Sequence, residues 1–495
     1  MDPRGIGHAG FYRVAAESVA LTDLVDDAAS VEVPMAEACA PAGNRLLTGR
    51  VGAALTWLAL PVLGEQFLHL LVGLVDTYLA GTVSAEATAA IGLATTVVWL
   101  VNLLFSFVGT GATALVARHA GMGEPAKANH FSNQSISLAL VLGVLAAVGI
   151  WLAAPLLPRF LGWTGESGRL ATLYLRIDCW GYLLYSLTFI GAACWRGMGD
   201  TRTPLYVMAV VNAWNILCAF SLRFGWGPLP EMGVVGIPLG TVMARFLGGT
   251  VVIVLLIKGR GGLRIIRREL RLQTESVARL FRVGIPAGLD GLLLWCGQIL
   301  FVKIVSMLAT GEQQAVIMAA HFVGIRVEAL SYLPAYAWAT AAATMVGQSL
   351  GANRPGRAMR SGHLAALQGA VMCFAMSVIY FVFAPQIYYV FSSEDFERVA
   401  AVGVPALRAL AFFQVPLALM IIYVNALRGA GDTRWPLLFT VVGMLAIRLP
   451  LAYLFGVVLD GGLIGAWVGM FGDLTARAIL STVRFARGQW VKTQV

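Results

Sequence analysis

The feature that most constrains this chain is a succession of long apolar stretches. Twelve follow one another from Val51 onward, near 52–80, 88–117, 132–157, 170–194, 203–223, 232–257, 280–309, 315–346, 362–385, 399–425, 435–457 and 463–484. A helix needs about 20 apolar residues to cross a hydrocarbon core of about 30 Å. The chain is 12% charged, against about 25% in a soluble protein. It therefore cannot form several soluble domains, and the pattern predicts an all-α polytopic membrane protein of twelve transmembrane helices.

Positive charge is unevenly distributed between the two sides of this arrangement. The connections after the even-numbered predicted helices carry twenty arginines and lysines, whereas the opposite side carries four. Arg and Lys gather on the cytoplasmic side of membrane proteins. We therefore expect a multi-pass protein of the plasma (inner) membrane with both termini in the cytoplasm. The net charge of +9 then reflects topology, and no nucleic-acid partner is needed to explain it.

The chain divides into five segments. Residues 1–50 hold seven acidic residues and lack an apolar run long enough for a signal peptide, so we expect a disordered cytoplasmic tail there. The predicted segments that follow are an N-terminal six-helix lobe at 51–257, a basic cytoplasmic linker at 258–279, a C-terminal six-helix lobe at 280–487 and a cytoplasmic tail at 488–495.

The two predicted lobes are copies of one another. Ala193–Pro204 returns as Asn425–Pro436, an offset of 232 residues, and both copies contain Arg-Gly-x-Gly-Asp-Thr-Arg-x-Pro. Glu65 in the first helix corresponds to Asp290 in the seventh at an offset of 225. Six helices per repeat is an even number, so both copies insert the same way up. The repeats should be related by a pseudo-two-fold axis along the membrane normal, with a cleft between them that rocking exposes to each side in turn.

The duplicated motif resembles the signature of the multidrug and toxic compound extrusion (MATE) transporters. The resemblance extends from about Val51 to Arg487, with supporting segments at Leu74–Gly81, Ala319–His321 and Val346–Ala352. It implies a secondary antiporter that exports drugs by alternating access and needs an ion gradient but no cofactor. We interpret the motif itself as a structural turn, in which Asp200 and Asp432 cap the helices that follow.

Acidic residues inside the predicted helices are candidate sites, because a charge at mid-bilayer is costly. Glu65, His69 and Asp76 are spaced so that they fall on one face of the first helix. The rest of that helix is apolar, so this polar stripe should face the interior of the N-terminal lobe. Desolvation disfavours a charged carboxyl group, so such an acid can carry a proton, and Glu65 and Asp76 are both candidate cation-coupling residues. The competing interpretation is that Asp76, near the helix end, is hydrated and merely anchors it.

The resemblance to the MATE family adds residue roles. The aspartate of the family's Leu-Val-Asp-Thr segment couples transport to a cation, and Asp76 occupies that place. The family also implies an asparagine on the fifth helix and a threonine on the sixth, which Asn215 and Thr241 match. The family's acid four residues after the asparagine is replaced by Ala219. A hard cation prefers several oxygen ligands, so we favour proton coupling, with Asn212 as a further hydrogen-bond neighbour, and leave sodium open.

In the C-terminal lobe, His321 and Glu328 share one face of the eighth helix, and Asp290 lies on the seventh. These residues could attract a cationic, apolar substrate into an aromatic cleft that contains Tyr332 and Tyr336. Two other interpretations stay open. Glu328 could pair with an arginine, and the tyrosines could serve only for packing.

Arg448 and Asp473 lie at similar depths in the last two predicted helices. We expect them to pair across the helices, or Asp473 to pair with Arg477, four residues on. Either arrangement is structural, because an unpaired charge at that depth is costly.

No nucleotide-binding loop, metalloprotease motif or Rossmann glycine pattern occurs, so we expect a transporter and not an enzyme, with no catalytic or metal-binding residues. The sequence predicts a monomeric antiporter that exports hydrophobic, cationic drugs or metabolites in exchange for protons. The alternatives are sodium coupling and a flippase for lipids or lipid-linked oligosaccharides.

Overall fold

The computed structural model describes residues 46–163, 165–226, 230–391 and 396–493. Its spans, numbered in chain order, are α1 Val51–Gly81, α2 Ala85–Gly121, α3 Pro125–Ala153, α4 Gly165–Met198, α5 Arg202–Phe224, α6 Gly236–Ile257, α7 Thr274–Ser306, α8 Gly311–Gly351, α9 Pro355–Val382, α10 Phe396–Ala411 with Gln414–Gly429, α11 Arg434–Val458 and α12 Gly462–Ala486. Most of the tail predicted at 1–50 lies outside the described residues.

The prediction of an all-helical membrane protein is confirmed. Eleven of the described helices are long and apolar enough to cross a membrane, and the two parts of α10, which meet at an angle of 54°, make twelve. Two further spans are irregular: α4 passes through a short 3₁₀ turn at Cys179–Gly181, and α11 contains π-helical turns at Val442–Arg448 and Leu454–Val458.

Two hydrophobic clusters form the cores of the two lobes. One runs from Leu79 to Leu280 and the other from Phe301 to Trp490. The second cluster also contains Leu55 and Leu58 from the first half of α1, together with Leu46, which is only 2% exposed. The first half of α1 and the residues just before it therefore pack against the C-terminal lobe. Leu46 falls in the range 1–50, which was predicted to be a disordered tail.

The lobes meet at one face of the bundle, where the even-numbered helices end. We call it the basic face, because the connections rich in arginine and lysine lie there. A Cβ atom on Gly284 would lie 1.6 Å from the carbonyl oxygen of Phe107, and one on Gly121 would lie 2.0 Å from that of Gln348. Gln348 Nε2 also donates to the carbonyl of Gly197 at 2.9 Å. The helix backbones thus touch across the lobes, which only glycine permits.

Toward the opposite face, the same helix surfaces are exposed. Trp99 lies one turn beyond Leu103, whose side chain packs against Gly291 of α7, and it is 58% exposed. Arg326 is exposed as well, about five turns before Thr344 on the face of α8 that contacts Arg196. The cleft between the lobes is therefore closed at the basic face and open at the opposite face.

Residues 258–273, between α6 and α7, are held by the side chains of α3. Asn129 and Asn133 accept hydrogen bonds from the backbone of Arg264 and Ile266, at 2.7 and 3.0 Å. Gln134 donates to the carbonyl of Glu269 and accepts from the amide of Gln273, while Ser137 donates to the carbonyl of Leu270. The segment predicted as a surface linker is thus fastened to the N-terminal lobe.

The duplicated turns have the expected glycines but different aspartate contacts. Gly199 and Gly431 adopt φ values of 87° and 89°, which glycine tolerates best. Asp200 accepts hydrogen bonds from the amides of Arg202 and Thr203 at the start of α5, as predicted. Asp432 instead pairs with Arg484 of α12 at 2.9 Å, so the capping role predicted for it is wrong.

Candidate functional site

The N-terminal lobe contains a cavity of about 220 Å³ between α1, α2, α4, α5 and α6. Its polar lining consists of His69, Asp76, Thr95, Tyr174, Asp178, Tyr185, Thr188, Asn212, Asn215, Thr241 and Arg245. The structure brings together four of the five residues predicted for cation coupling, namely Asp76, Asn212, Asn215 and Thr241.

Asp76 reaches this cavity from the last third of α1. Its carboxylate atom Oδ1 is buried and has no hydrogen-bond partner among the described residues, and no ion pair holds the side chain there. A buried polar atom without a partner is costly, and the cost falls when a proton or a ligand binds. The carboxyl group of Asp76 is therefore available to bind a proton or a ligand in the cavity.

A buried ion pair lies on the other side of the cavity. Arg245 of α6 donates to Asp178 Oδ1 at 2.7 Å, and the Tyr182 hydroxyl donates to Asp178 Oδ2 at 2.7 Å. The guanidinium of Arg245 also lies over the ring of Tyr185, 5.2 Å from its centroid. Arg245 is thus already paired with Asp178 and places a positive charge at the cavity that contains Asp76.

The amide groups of α5 supply the remaining polar wall. Asn215 Nδ2 donates to Thr241 Oγ1 at 3.1 Å, while Asn215 Oδ1 and Asn212 Nδ2 are buried without partners in the described part of the chain. Ala219 is fully buried, and a Cβ on Gly240 would lie 2.7 Å from its backbone nitrogen. The position where the family has an acid is therefore closed by helix packing.

Glu65 does not join Asp76 in the cavity. Arg196, in the duplicated turn motif, donates to Glu65 Oε1 at 2.7 Å, and Glu65 is only 3% exposed. The predicted polar stripe on α1 is thus divided, because His69 and Asp76 line the cavity whereas Glu65 ties α1 to α4. Arg196 is therefore more than a turn residue, because it is the partner of this buried acid.

The C-terminal lobe repeats this ion pair. Arg428, the counterpart of Arg196, contacts Asp290, the counterpart of Glu65. Asp290 is 2% exposed, so it lies inside the lobe and not on the cleft surface where a substrate would meet it. The structure thus pairs Asp290 with Arg428, and the substrate contact expected of Asp290 stays a prediction that would need this ion pair to open.

Glu328 and His321 are also buried in the C-terminal lobe, at 4% and 0% exposure. The Nε1 of Trp467 donates to His321 Nδ1 at 3.1 Å. Glu328 has no hydrogen bond or ion pair with any described residue, so the pairing with an arginine that the sequence left open is absent there. Tyr332 and Tyr336 stack with their centroids 6.1 Å apart, and Tyr336 is 43% exposed.

The predicted pairing of Asp473 is confirmed in both of its forms at once. Its carboxylate lies 2.9 Å from Arg448 and 2.6 Å from Arg477. Arg448 further donates to Gln298 at 3.1 Å and lies over the ring of Phe301. These contacts join α7, α11 and α12.

Asp178, Arg245 and Tyr174 were not predicted from the sequence, although all three lie within predicted helices. Asp178 and Arg245 could have been found by the rule that an intramembrane charge is a candidate site, whereas Tyr174 is uncharged and gives no such signal. Asp178 and Arg245 are far apart in sequence, however, and no local spacing indicates that they meet.

Comparison with known proteins gives consistent matches along the chain. A family model described as MatE matches residues 61–220 and 286–454. A probable multidrug resistance protein NorM of Thermotoga maritima is 30% identical over 448 residues, which cover 88% of this chain and 93% of the relative. An uncharacterized transporter YisQ of Bacillus subtilis is 24% identical over 441 residues, covering 89% and 94%.

A solved structure has the same fold. It is described as an outward-facing conformation of a multidrug resistance MATE family transporter of the MOP superfamily, and it superimposes with a TM-score of 0.84 at 23% identity. The match covers 91% of this chain and 99% of that chain.

Proposed function

The chain belongs to the multidrug and toxic compound extrusion (MATE) family, and from this premise we propose that it exports hydrophobic, cationic compounds in exchange for protons. The observation that carries the proposal is the carboxyl group of Asp76, which lines the N-terminal cavity with a buried oxygen that has no partner among the described residues. A group in this setting gains most from binding a proton and releases it when its surroundings change.

Two features favour a proton over sodium. Sodium, as a hard cation, needs several oxygen ligands, carboxylates among them. In this cavity Asp178 is already bound to Arg245 at 2.7 Å, and position 219 is an alanine. The guanidinium of Arg245 also repels a metal cation, whereas a proton on Asp76 forms a neutral group that has no net charge to be repelled.

Export requires a direction, which we take from the charges of the loops. We propose that the basic face is cytoplasmic by the positive-inside rule, so that the open cleft faces outward. A proton then enters from outside and reaches Asp76. When the lobes rock, the cleft opens to the cytoplasm, Asp76 releases its proton and the substrate binds.

For the substrate we propose the part of the cleft formed by Tyr332 and Tyr336, beside Glu328. The exposed ring of Tyr336 offers a stacking surface. The carboxyl group of Glu328, one helical turn before Tyr332 and without a partner among the described residues, attracts a cation to this part of the cleft. Asp290 is held by Arg428 and Glu65 by Arg196, so we do not assign the substrate or coupling role to either.

The test is dye efflux from proteoliposomes in which proton and sodium gradients are imposed separately. Each pH unit supplies about 1.36 kcal/mol, so a gradient of two units should drive ethidium transport, whereas an equal sodium gradient should not. Asp76→Asn should reduce proton-driven efflux to the rate of protein-free liposomes. The matched control is Asp460→Asn, an exposed turn residue with φ of 54°, which asparagine tolerates.

Two results would contradict the proposal. Sodium-driven efflux at constant pH would overturn the choice of ion. Proton-driven efflux that persists in Asp76→Asn would overturn the assignment of the site.

A further inference from the structure

Each lobe carries an exposed arginine on its outer surface that lies over an aromatic ring of the neighbouring helix. The guanidinium carbon of Arg176 is 5.5 Å from the centroid of the Trp151 ring, and that of Arg408 is 5.9 Å from the centroid of Phe381. Arg408 follows Arg176 by the repeat offset of 232 residues, and Phe381 follows Trp151 by 230. The arrangement therefore occurs twice, at equivalent places in the two repeats.

A second exposed aromatic residue follows each arginine, at the break in its span. Trp180 follows Arg176 by four residues and is 65% exposed, and Phe412 follows Arg408 by four residues and is 70% exposed. The rings of Phe381 and Phe412 meet edge to face at a centroid distance of 5.7 Å. Each arginine thus lies over one exposed aromatic ring, and a second exposed aromatic residue follows it on its own span.

These groups face the lipid, at the edge of the apolar belt. The surface of α3 leading to Trp151 carries Leu145, Val148 and Leu152, all more than half exposed. Trp151 lies two residues before the end of α3, and Phe381 one residue before the end of α9. Aromatic residues concentrate at this level, where hydrocarbon gives way to lipid headgroups.

The two guanidinium groups have no anionic partner among the described residues. The side chain of Arg176 makes no hydrogen bond or ion pair there, and that of Arg408 makes one hydrogen bond, from Nε to the carbonyl of Phe381 at 3.4 Å. The paired nitrogen atoms of a guanidinium match two oxygens of a phosphate group. A charged group at the hydrocarbon edge is costly unless it is paired.

We propose that each lobe binds one phospholipid in the leaflet opposite the basic face. The phosphate accepts hydrogen bonds from the terminal nitrogens of Arg176 or Arg408, and the first acyl carbons pack against the second ring, Trp180 or Phe412. A phospholipid is the occupant because the site lies on the lipid-facing surface, where the required anion is attached to an apolar chain.

The experiment is native mass spectrometry of the intact purified protein with added phosphatidylglycerol. The wild type should retain two lipids at detergent concentrations that remove all others, Arg176→Gln or Arg408→Gln should retain one, and the double variant should retain none. Arg159→Gln, an exposed arginine of the same face, is the matched control and should retain two. A double variant that still retains two lipids would overturn the proposal.

A second measurement needs no variant and so does not depend on the folding of the altered protein. Diacylglycerol has the same chains without the phosphate, and inorganic phosphate has the anion without the chains. Phosphatidylglycerol should bind at least about tenfold more tightly than either, because bidentate arginine bonds and apolar burial act together. Equal retention of diacylglycerol would show that the rings alone bind lipid, and the assignment to Arg176 and Arg408 would then be wrong.

Discussion

The two lobes share one helical plan but treat their internal charges differently. In the N-terminal lobe, Asp76 lines a cavity with an unpartnered oxygen, whereas the C-terminal position at the same repeat offset of 225 is Phe301, fully buried beneath the guanidinium of Arg448. The C-terminal lobe instead locks Asp473 between Arg448 and Arg477. Both lobes keep the ion pair between the turn arginine and the acid of the first helix. The two lobes therefore share a common scaffold, and at this position of the first helix only the N-terminal copy has a carboxyl group that lines a described cavity.

The largest effect is expected from removing the carboxylate of Asp473, which Arg448 and Arg477 hold in the C-terminal lobe. Asp473→Asn leaves two buried arginines facing each other, and breaking a buried pair by removing one partner costs about 3–5 kcal/mol. We expect a large drop in the midpoint of thermal unfolding, followed by intrinsic fluorescence in detergent. Asp460→Asn, the same change in an exposed turn, should leave the midpoint unchanged, and a stable Asp473→Asn protein would refute the locked arrangement.

The next largest effect is expected at the contact between Gly284 and Phe107, where the two lobes meet at the basic face. A methyl group at Gly284 would collide with the carbonyl of Phe107, so Gly284→Ala should disfavour the form closed at the basic face. A cost of several kcal/mol is enough to reverse a two-state population. A cysteine introduced between the lobes at the basic face should therefore react faster with a thiol reagent in this variant than in the wild type. Gly356→Ala, where the added methyl meets open space, should not change labelling, and unaltered labelling in Gly284→Ala would exclude a moving contact there.

A smaller effect should separate the two unpaired carboxyl groups. If only the N-terminal lobe couples to protons, Glu328→Gln should raise the KM for a cationic dye several-fold, because it removes binding common to ground and transition states. The pH dependence of transport should stay that of the wild type. Efflux kinetics at several pH values measure both quantities, and a Glu328→Gln protein with an altered pH profile would make the C-terminal lobe a second coupling site.

The smallest effect lies in the connections between the second and third helices of each repeat. Hydrogen bonds from His119 and then Lys127 lower the pKa of Glu124 below its usual range, whereas the equivalent position at offset 230 is Arg354. A lowered pKa means stability that is present above the ordinary glutamate range and is lost as the pH falls through the folded value. Thermal unfolding below pH 4.5 should therefore show a slight extra loss that Glu124→Gln removes, and an identical loss in the variant would mean that Glu124 plays no part.

Much of the fold could be predicted from the sequence because lipid imposes a strict rule on each segment. Apolar length and loop charge indicate twelve spans, and repeated motifs indicate two lobes, without any knowledge of packing. The bend in α10 and the crossing of Leu55 into the second core depend on contacts between distant helices. They could not be read from local periodicity.

The candidate site was predictable where one helix carried the information. Asp76 was found on α1, and its family resemblance added Asn215 and Thr241. Ion pairs between helices decided the rest. Glu65 pairs with Arg196 and Asp290 pairs with Arg428. The pair of Arg245 and Asp178 at the cavity was not predicted. Which residues pair depends on the three-dimensional arrangement of the helices, and spacing along the chain does not contain that information.

The fastening of residues 258–273 by α3 has a consequence for biosynthesis. The amide side chains of Asn133 and Gln134 leave the ribosome well before the segment they hold, so the first lobe can finish its surface while the second is still being translated. Leu55 and Leu58 have the reverse fate. They are made first, yet the C-terminal helices that pack against the start of α1 are α8 and α9, so this part of α1 must wait for its partners until those helices have been made.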